Sequence, residues 1–296
     1  MKSQGRVEGK RLRLIKRLTA NSAKLSVENS PIPPVNLQEG EVPIRMERVL
    51  LSPLDHLAIQ GMLQRRYLGT FGFGKVLERT SQDIPETATI YPASCEHFPL
   101  IGREGTGSEI YPYPAKMIKH PRKSLELPEM QFIFDSVFTM AHLSEGQILI
   151  VGGEGLQTVL LSNVLEKAYL VGVKKRLKGM GNITLLSEDG ILNTKWDTVV
   201  LNSLNLTRAI NLLRKIRWKK IVINPLSACL SRLVPIPLNG SFSAIVAFPS
   251  ILNEVSGDYE TMQKAVNESG MHEEISLREL NSEISAPYVT VLMNGE

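Results

Sequence analysis

The run Val151-Gly152-Gly153-Glu154-Gly155-Leu156-Gln157-Thr158 stands between a continuous apolar stretch, Ile148-Leu149-Ile150-Val151, and a helical stretch reaching Lys167. A glycine-rich turn between a buried strand and a helix marks a dinucleotide-binding unit. The first Gly makes the tight turn, the second lets backbone approach a pyrophosphate, and the third lets the helix pack on the strand. The anion then sits on the helix N-terminus, where free N–H groups and the dipole favour it. Gly153 and Gly155 fill the first two places, with Leu156 opening the helix, and Thr158 stands where the third Gly is expected. Its bulk predicts a helix set farther from the strand. Glu154 places negative charge beside the anion. The same residues are also compatible with a strand–turn–helix kept for the fold alone.

Working outward, strands are predicted at Ala168 to Val173, Ile183 to Leu186, Thr198 to Leu201, Lys220 to Ile223 and Ala244 to Phe248. Helices are predicted at Leu206 to Ile216 and Ile251 to Ser269. Apolar strands alternating with helices predict an α/β fold, a doubly wound parallel sheet covered on both faces. At the end of the strand after the glycines, an acid would accept from ribose hydroxyls and mark NAD. Lys174-Lys175-Arg176 stand there instead. Cations suit a 2′-phosphate, so a bound dinucleotide is expected to be NADP(H), although three exposed loop cations also occur without a ligand.

The first ~120 residues differ. Pro and Gly punctuate short apolar runs at Leu12 to Ile15, Val42 to Leu51, Gly74 to Leu77 and Ala88 to Tyr91, the pattern of a β-rich unit. Asn29 to Pro34 reads as a turn. Helices are expected at Leu54 to Gln64 and Met130 to Leu143, and the tail Tyr288 to Met293 reads as a further strand. A length of 296 residues fits about two domains. The 43% apolar content is that of a globular chain.

Two cysteines, Cys95 and Cys229, are too few for a disulfide framework or a Cys-rich zinc lobe and favour a reducing compartment. No signal peptide and no apolar run of spanning length are read, so a cytoplasmic setting without a membrane is expected. The net charge is +4, yet residues 164 to 220 carry twelve Lys/Arg against four acids. Such a stretch attracts a phosphorylated ligand or nucleic acid, or is simply a solvated face. Nucleic acid is the weaker expectation, because only Trp218 sits in the basic helix–strand stretch and no nucleic-acid module is recognisable.

Several segments in order resemble the medium-chain dehydrogenase/reductase superfamily, the zinc-type alcohol dehydrogenase and quinone oxidoreductase clan. Lys24 to Glu28, Pro31 to Pro33 and Gly40 to Met46 resemble its first hairpin region. Leu51-Ser52-Pro53-Leu54-Asp55 is similar to the N-P-x-D segment of zinc-free reductases. Gly69-Thr70-Phe71-Gly72-Phe73-Gly74-Lys75-Val76 resembles G-H-E-G-x-G-x-V. Gly105 to Tyr111 with Pro114-Ala115 resembles G-(G/A)-x-A-E-Y…P-A. Trp196 to Val200 is similar to the F-D-V-V strand, and Arg208 to Ile223 to the helix and strand that follow.

The resemblance implies a GroES-like β-rich domain over 1–125, completed by about 270–296, and a Rossmann-like domain over 126–269. The chain is trimmed relative to that pattern, particularly between 78 and 105. It also implies a small-molecule substrate and a homodimer or homotetramer. Its zinc ligands are replaced: Ser52 stands for Cys, and Thr70 and Phe71 stand for His and Glu. Cys95-Glu96-His97 offers too few ligands for a closed site, so no zinc is expected. Zinc-free relatives transfer hydride to an activated double bond or quinone, with hydrogen bonds steadying the developing enolate. Ser52, Asp55, His56 and Tyr67 are the candidate donors. Loss of the third Gly, the acidic ribose partner and the zinc ligands leaves a rival: the same fold kept as a ligand- or partner-binding module.

Overall fold

The computed structural model describes residues 14–21, 24–31, 40–63, 65, 67–78, 83–102, 104–153, 155–165, 167–231, 243–280 and 286–293. The expectations for Leu12, for residues 32–34 of the turn and for Glu154 fall outside them.

The N-terminal half is strand-rich. β1 (Leu14–Asn21) and β2 (Lys24–Pro31) form an antiparallel hairpin. Asn29 to Pro31, read as turn, are therefore the end of a strand paired with Leu14 to Lys16. β3 (Glu41–Leu51) leads into α1 (Pro53–Ile59), then β4 (Phe71–Val76), β5 (Thr87–Ile90), β6 (Ile110–Pro114) and β7 (Ile118–Lys119). Helix α1 stops short of the expected Gln64, because Gly61 turns the chain at φ 77°.

The second half alternates. α2 (Gln131–His142) precedes β8 (Ile148–Gly152), α3 (Leu156–Val164), β9 (Ala168–Val171) and β10 (Thr184–Leu185). β11 (Lys195–Asn202), α4 (Leu206–Leu213), β12 (Arg217–Ile223), α5 (Pro225–Ser231) and β13 (Ser243–Val246) follow. The expected long helix from Ile251 is in fact a 3₁₀ turn, Pro249–Ile251, and α6 (Tyr259–Ser269). Gly257 lies against the Phe138 ring, where a Cβ would come within 2.2 Å. Asp258 then caps the helix by accepting from Thr261 N.

β14 (His272–Ser276) and β15 (Tyr288–Leu292) close the chain. β15 runs antiparallel to β3, pairing Val289 with Leu51, so the C-terminal strand completes the N-terminal sheet. That sheet has the order β14-β15-β3-β4-β5-β7, with β6 also on β3. Buried Glu129 fastens the joint, accepting from Arg48 Nε at 2.8 Å and Thr290 Oγ1 at 2.7 Å.

The other sheet is parallel throughout, in the order β10-β9-β8-β11-β12-β13. The chain starts at β8, winds outward through β9 and β10, then returns to β11 on the opposite side and continues outward. The winding direction reverses between β8 and β11. In open α/β sheets, ligands bind in the crevice outside the carboxyl ends of the strands at such a switch point. The candidate site is therefore positioned by topology before any side chain is considered.

Candidate dinucleotide cleft

A cleft of about 270 Å³ lies at that switch point. Gly153, Gly155, Gln157 and Thr158 form one wall, Asn202 to Asn205 the floor, and Leu226 and Ser227 of α5 the far side. Pro53, Pro287 and Tyr288 from the other sheet's side close it. A larger cleft of about 640 Å³ lies around Tyr91, Arg122 and Asp135. It is removed from the carboxyl ends of β8 and β11, and the topology favours the smaller one.

The glycines divide into two kinds. At Gly153 and at Gly155, which has φ −140° and ψ 163°, a Cβ would meet nothing within 4 Å. Neither residue is demanded by the protein's own packing. An approaching ligand is what such vacant space accommodates, and α3 begins there with no side-chain cap. Gly152 and Gly172, by contrast, serve the fold. A Cβ on Gly172, at φ 101°, would stand 2.3 Å from Gly152 O.

Thr158 is not an intrusion. A Cβ on Gly152 would come 3.0 Å from Thr158 Oγ1, so the missing side chain of Gly152 makes the room that the third glycine was expected to make. Thr158 is also 1% exposed and accepts from Asn202 Nδ2 at 3.1 Å. Asn224 Nδ2 donates in turn to Asn202 Oδ1 at 2.9 Å and to Gln157 Oε1, while Asn224 Oδ1 caps α5 through Leu226 N at 2.8 Å. This polar chain ties the ends of β11 and β12 to the first turn of α3. Sequence reading missed Asn202, Asn224 and Gln157. The available signal was a lone Asn directly after each of two apolar strands.

Lys174 and Lys175 are exposed just past β9, shortly after Gly172, which packs on Gly152. Arg176 is engaged otherwise. Its guanidinium donates to the carbonyls of Met180 and Gly181, and to that of Ile183 at 3.5 Å, holding its own loop together.

Of the four proposed donors, Ser52 and Asp55 come together and Tyr67 does not join them. Ser52 caps α1, accepting from Leu54 N at 3.1 Å, and its hydroxyl meets Thr70 Oγ1 at 2.5 Å. Asp55 accepts from Ser52 N at 2.8 Å, Gly69 N at 2.6 Å and Thr70 Oγ1 at 2.6 Å. Burial pushes its carboxyl up to about 6, against the downward pull of these donors. Tyr67 instead accepts from Arg17 Nη1 at 2.7 Å, with that guanidinium over its ring. His56 is half-buried on α1.

Zinc prefers thiolate, imidazole and carboxylate donors. Ser52, Thr70 and Asp55 bring two hydroxyls and one carboxylate, and they already satisfy one another. Phe71 packs its ring against Phe98 and Phe132 at centroid distances of 5.6 and 5.0 Å. This donor set does not fit zinc. Cys95 and Cys229 are joined by a disulfide across 134 residues of sequence, which also removes Cys95 as a ligand. The cysteine count therefore carries no argument for a reducing, cytoplasmic setting. Among the described residues, no helix is long and apolar enough to cross a membrane.

No protein-family model matches the sequence, and no curated protein matches it. Solved structures do match. A glucose dehydrogenase from Haloferax mediterranei, in complex with NADP, Zn and gluconolactone, aligns with TM-score 0.60 at 13% identity, over 95% of this chain and 99% of its own. A thermostable alcohol dehydrogenase from Pyrobaculum aerophilum aligns at 0.61 and 14%, over 95% and 100%. An acetophenone reductase from Geotrichum candidum, in complex with NAD, aligns at 0.61 and 12%, over 96% and 98%. The chain shares the fold of these dehydrogenases. At these identities the likeness is one of fold.

Proposed function

We propose that the chain is a zinc-independent, NADP(H)-dependent oxidoreductase that exchanges hydride with an enone, quinone or similar carbonyl compound. Residues 126–269 act as the cofactor unit, and 1–125 with 270–296 as the unit that covers it. The observation that carries the reading is the open space at Gly153 and Gly155 beside an uncapped helix start, at the switch point of the sheet. Neighbours of the same fold hold NADP or NAD.

The chemistry supplied by such a cofactor is hydride exchange at its nicotinamide ring. The N–H groups of Leu156 and Gln157 at the start of α3 would hold the pyrophosphate, and Lys174 and Lys175 would pair with the 2′-phosphate. Asn202 and Ser203 form the floor, while Pro53, Pro287 and Tyr288 keep water out. Ser52, Asp55 and Thr70 hold α1 and the Gly69 turn in place, so that Pro53 stays at the rim. An acceptor whose own conjugation receives the hydride needs no Lewis acid, which is why the substrate class is placed among enones and quinones.

Oxidation of NADPH against a panel of enones and quinones, with a chelator present, tests the reading. Turnover that survives chelation is expected. Turnover that requires added zinc contradicts it. The closure of Ser52, Thr70 and Asp55 on one another also supports a second reading, a dinucleotide-binding module without turnover. Saturable NADPH binding with no oxidation across the panel selects that one.

A further inference from the structure

The disulfide joins α5, which lines the cleft, to the loop after β5. Cys229 is fully buried on α5, whose Leu226 and Ser227 form the far wall. α5 is anchored to the parallel sheet by Asn224 and by Ser227 Oγ, which donates to Ser203 O at 3.0 Å. Cys95 is half-buried in the loop after β5. That loop is held to the antiparallel sheet's side: Arg65 Nε donates to Leu100 O at 3.1 Å, and buried Phe98 packs on Phe71. The bond thus ties two separately anchored bodies, with Cα atoms 5.0 Å apart. One sulfur is presented at a half-buried position and the other is not.

We propose that Cys95–Cys229 is a thiol-exchange site whose state sets how tightly the 91–102 loop is held to α5, and hence how firmly that wall of the cleft is fixed. A small-molecule thiolate such as that of glutathione attacks Cys95 Sγ. The Cys95–Cys229 bond breaks, and Cys229 leaves as a thiolate that takes up a proton. A second equivalent of thiol then attacks the mixed disulfide on its own sulfur, releasing Cys95 as a thiol and the reductant as its symmetrical disulfide. Two thiols are oxidised and one protein disulfide is reduced. Non-covalent ties remain after reduction: Tyr91 and Tyr259 both donate to buried Asp135, the former at 2.8 Å. Reduction therefore loosens α5 without separating the halves.

The test uses the full chain without any cofactor, so its outcome is independent of whether a dinucleotide binds. Thiols are counted after equilibration with oxidised or reduced glutathione, and amide exchange is followed over 91–102 and 225–231. Expected are no reactive thiols when oxidised, two when reduced, and exchange in both segments at least tenfold faster after reduction. Cys95→Ser should exchange like the reduced protein with or without glutathione. Two free thiols in the oxidised sample, a bond that native protein does not surrender to reduced glutathione, or equal exchange in both states would each overturn the proposal.

Discussion

Gly155→Ala adds one methyl group at the start of α3, in a backbone conformation (φ −140°, ψ 163°) open to any residue. The new Cβ meets no atom within 4 Å. The free protein therefore loses no packing and incurs no strain, and the narrower unfolded ensemble stabilises it by roughly 0.4–1 kcal/mol. For the complex the sign reverses. A methyl in the space reserved for a pyrophosphate pushes the anion off the helix N–H groups, and loss of about one charge-assisted hydrogen bond costs roughly 1.5–3 kcal/mol, on the order of 10- to 100-fold in Kd. Gly172→Ala is the control with opposite behaviour. Its Cβ would stand 2.3 Å from Gly152 O at φ 101°, which predicts a loss of about 1–3 kcal/mol in stability. Urea unfolding and NADPH titration of both variants read the two quantities separately. Wild-type affinity in Gly155→Ala would refute the reasoning, as would a stability loss above roughly 1 kcal/mol there.

Lys174→Ala with Lys175→Ala should weaken NADPH by about tenfold or more and leave NADH unchanged, as titrations with each would register. Arg176→Ala should instead lower the melting temperature, because its guanidinium holds the carbonyls of Met180 and Gly181. The Asp55 carboxyl, pushed up to about 6 by burial, should titrate there by carbon-detected NMR. The folded state then binds more protons than the unfolded one between pH ~4 and 6, so stability falls as pH rises through that window by about 3 kcal/mol. A measured value below the free carboxylate range would contradict this. Reducing the Cys95–Cys229 bond, which closes a loop of 134 residues, should cost about 5 kcal/mol in the chain-entropy account, visible as a lower urea midpoint.

Period and punctuation carried the parallel sheet, because strands buried on both faces read as unbroken apolar runs such as Ile148 to Val151 and Ile221 to Ile223. The switch point emerges only from the strand order, in which β11 pairs with β8 on the side away from β9. Side-chain partnerships across long separations were not legible. Cys95 and Cys229 look unrelated along the chain, and Gly152 stands in for the third glycine only because α3 crosses it at Thr158. Ser52 and Asp55 were singled out as donors for chemistry. Three donors close on the Asp55 carboxylate and the Ser52 hydroxyl meets Thr70, which turns both residues into a brace for α1. Distances of this kind arise from folding, and no local pattern encodes them. The carbonyl partners of Arg176 were likewise illegible, because they lie in a loop whose course the sequence pattern does not specify.

The central claim is that the glycine turn holds a phosphorylated dinucleotide. Titrating NADPH against the purified full chain, with NADH in parallel and tryptophan or nicotinamide fluorescence as the signal, tests it most directly. Saturable NADPH binding, tighter than NADH and weakened by Gly155→Ala, is the predicted result. Absence of binding by either dinucleotide at millimolar concentration would contradict the claim, and a clear preference for NADH would contradict the role given to Lys174 and Lys175.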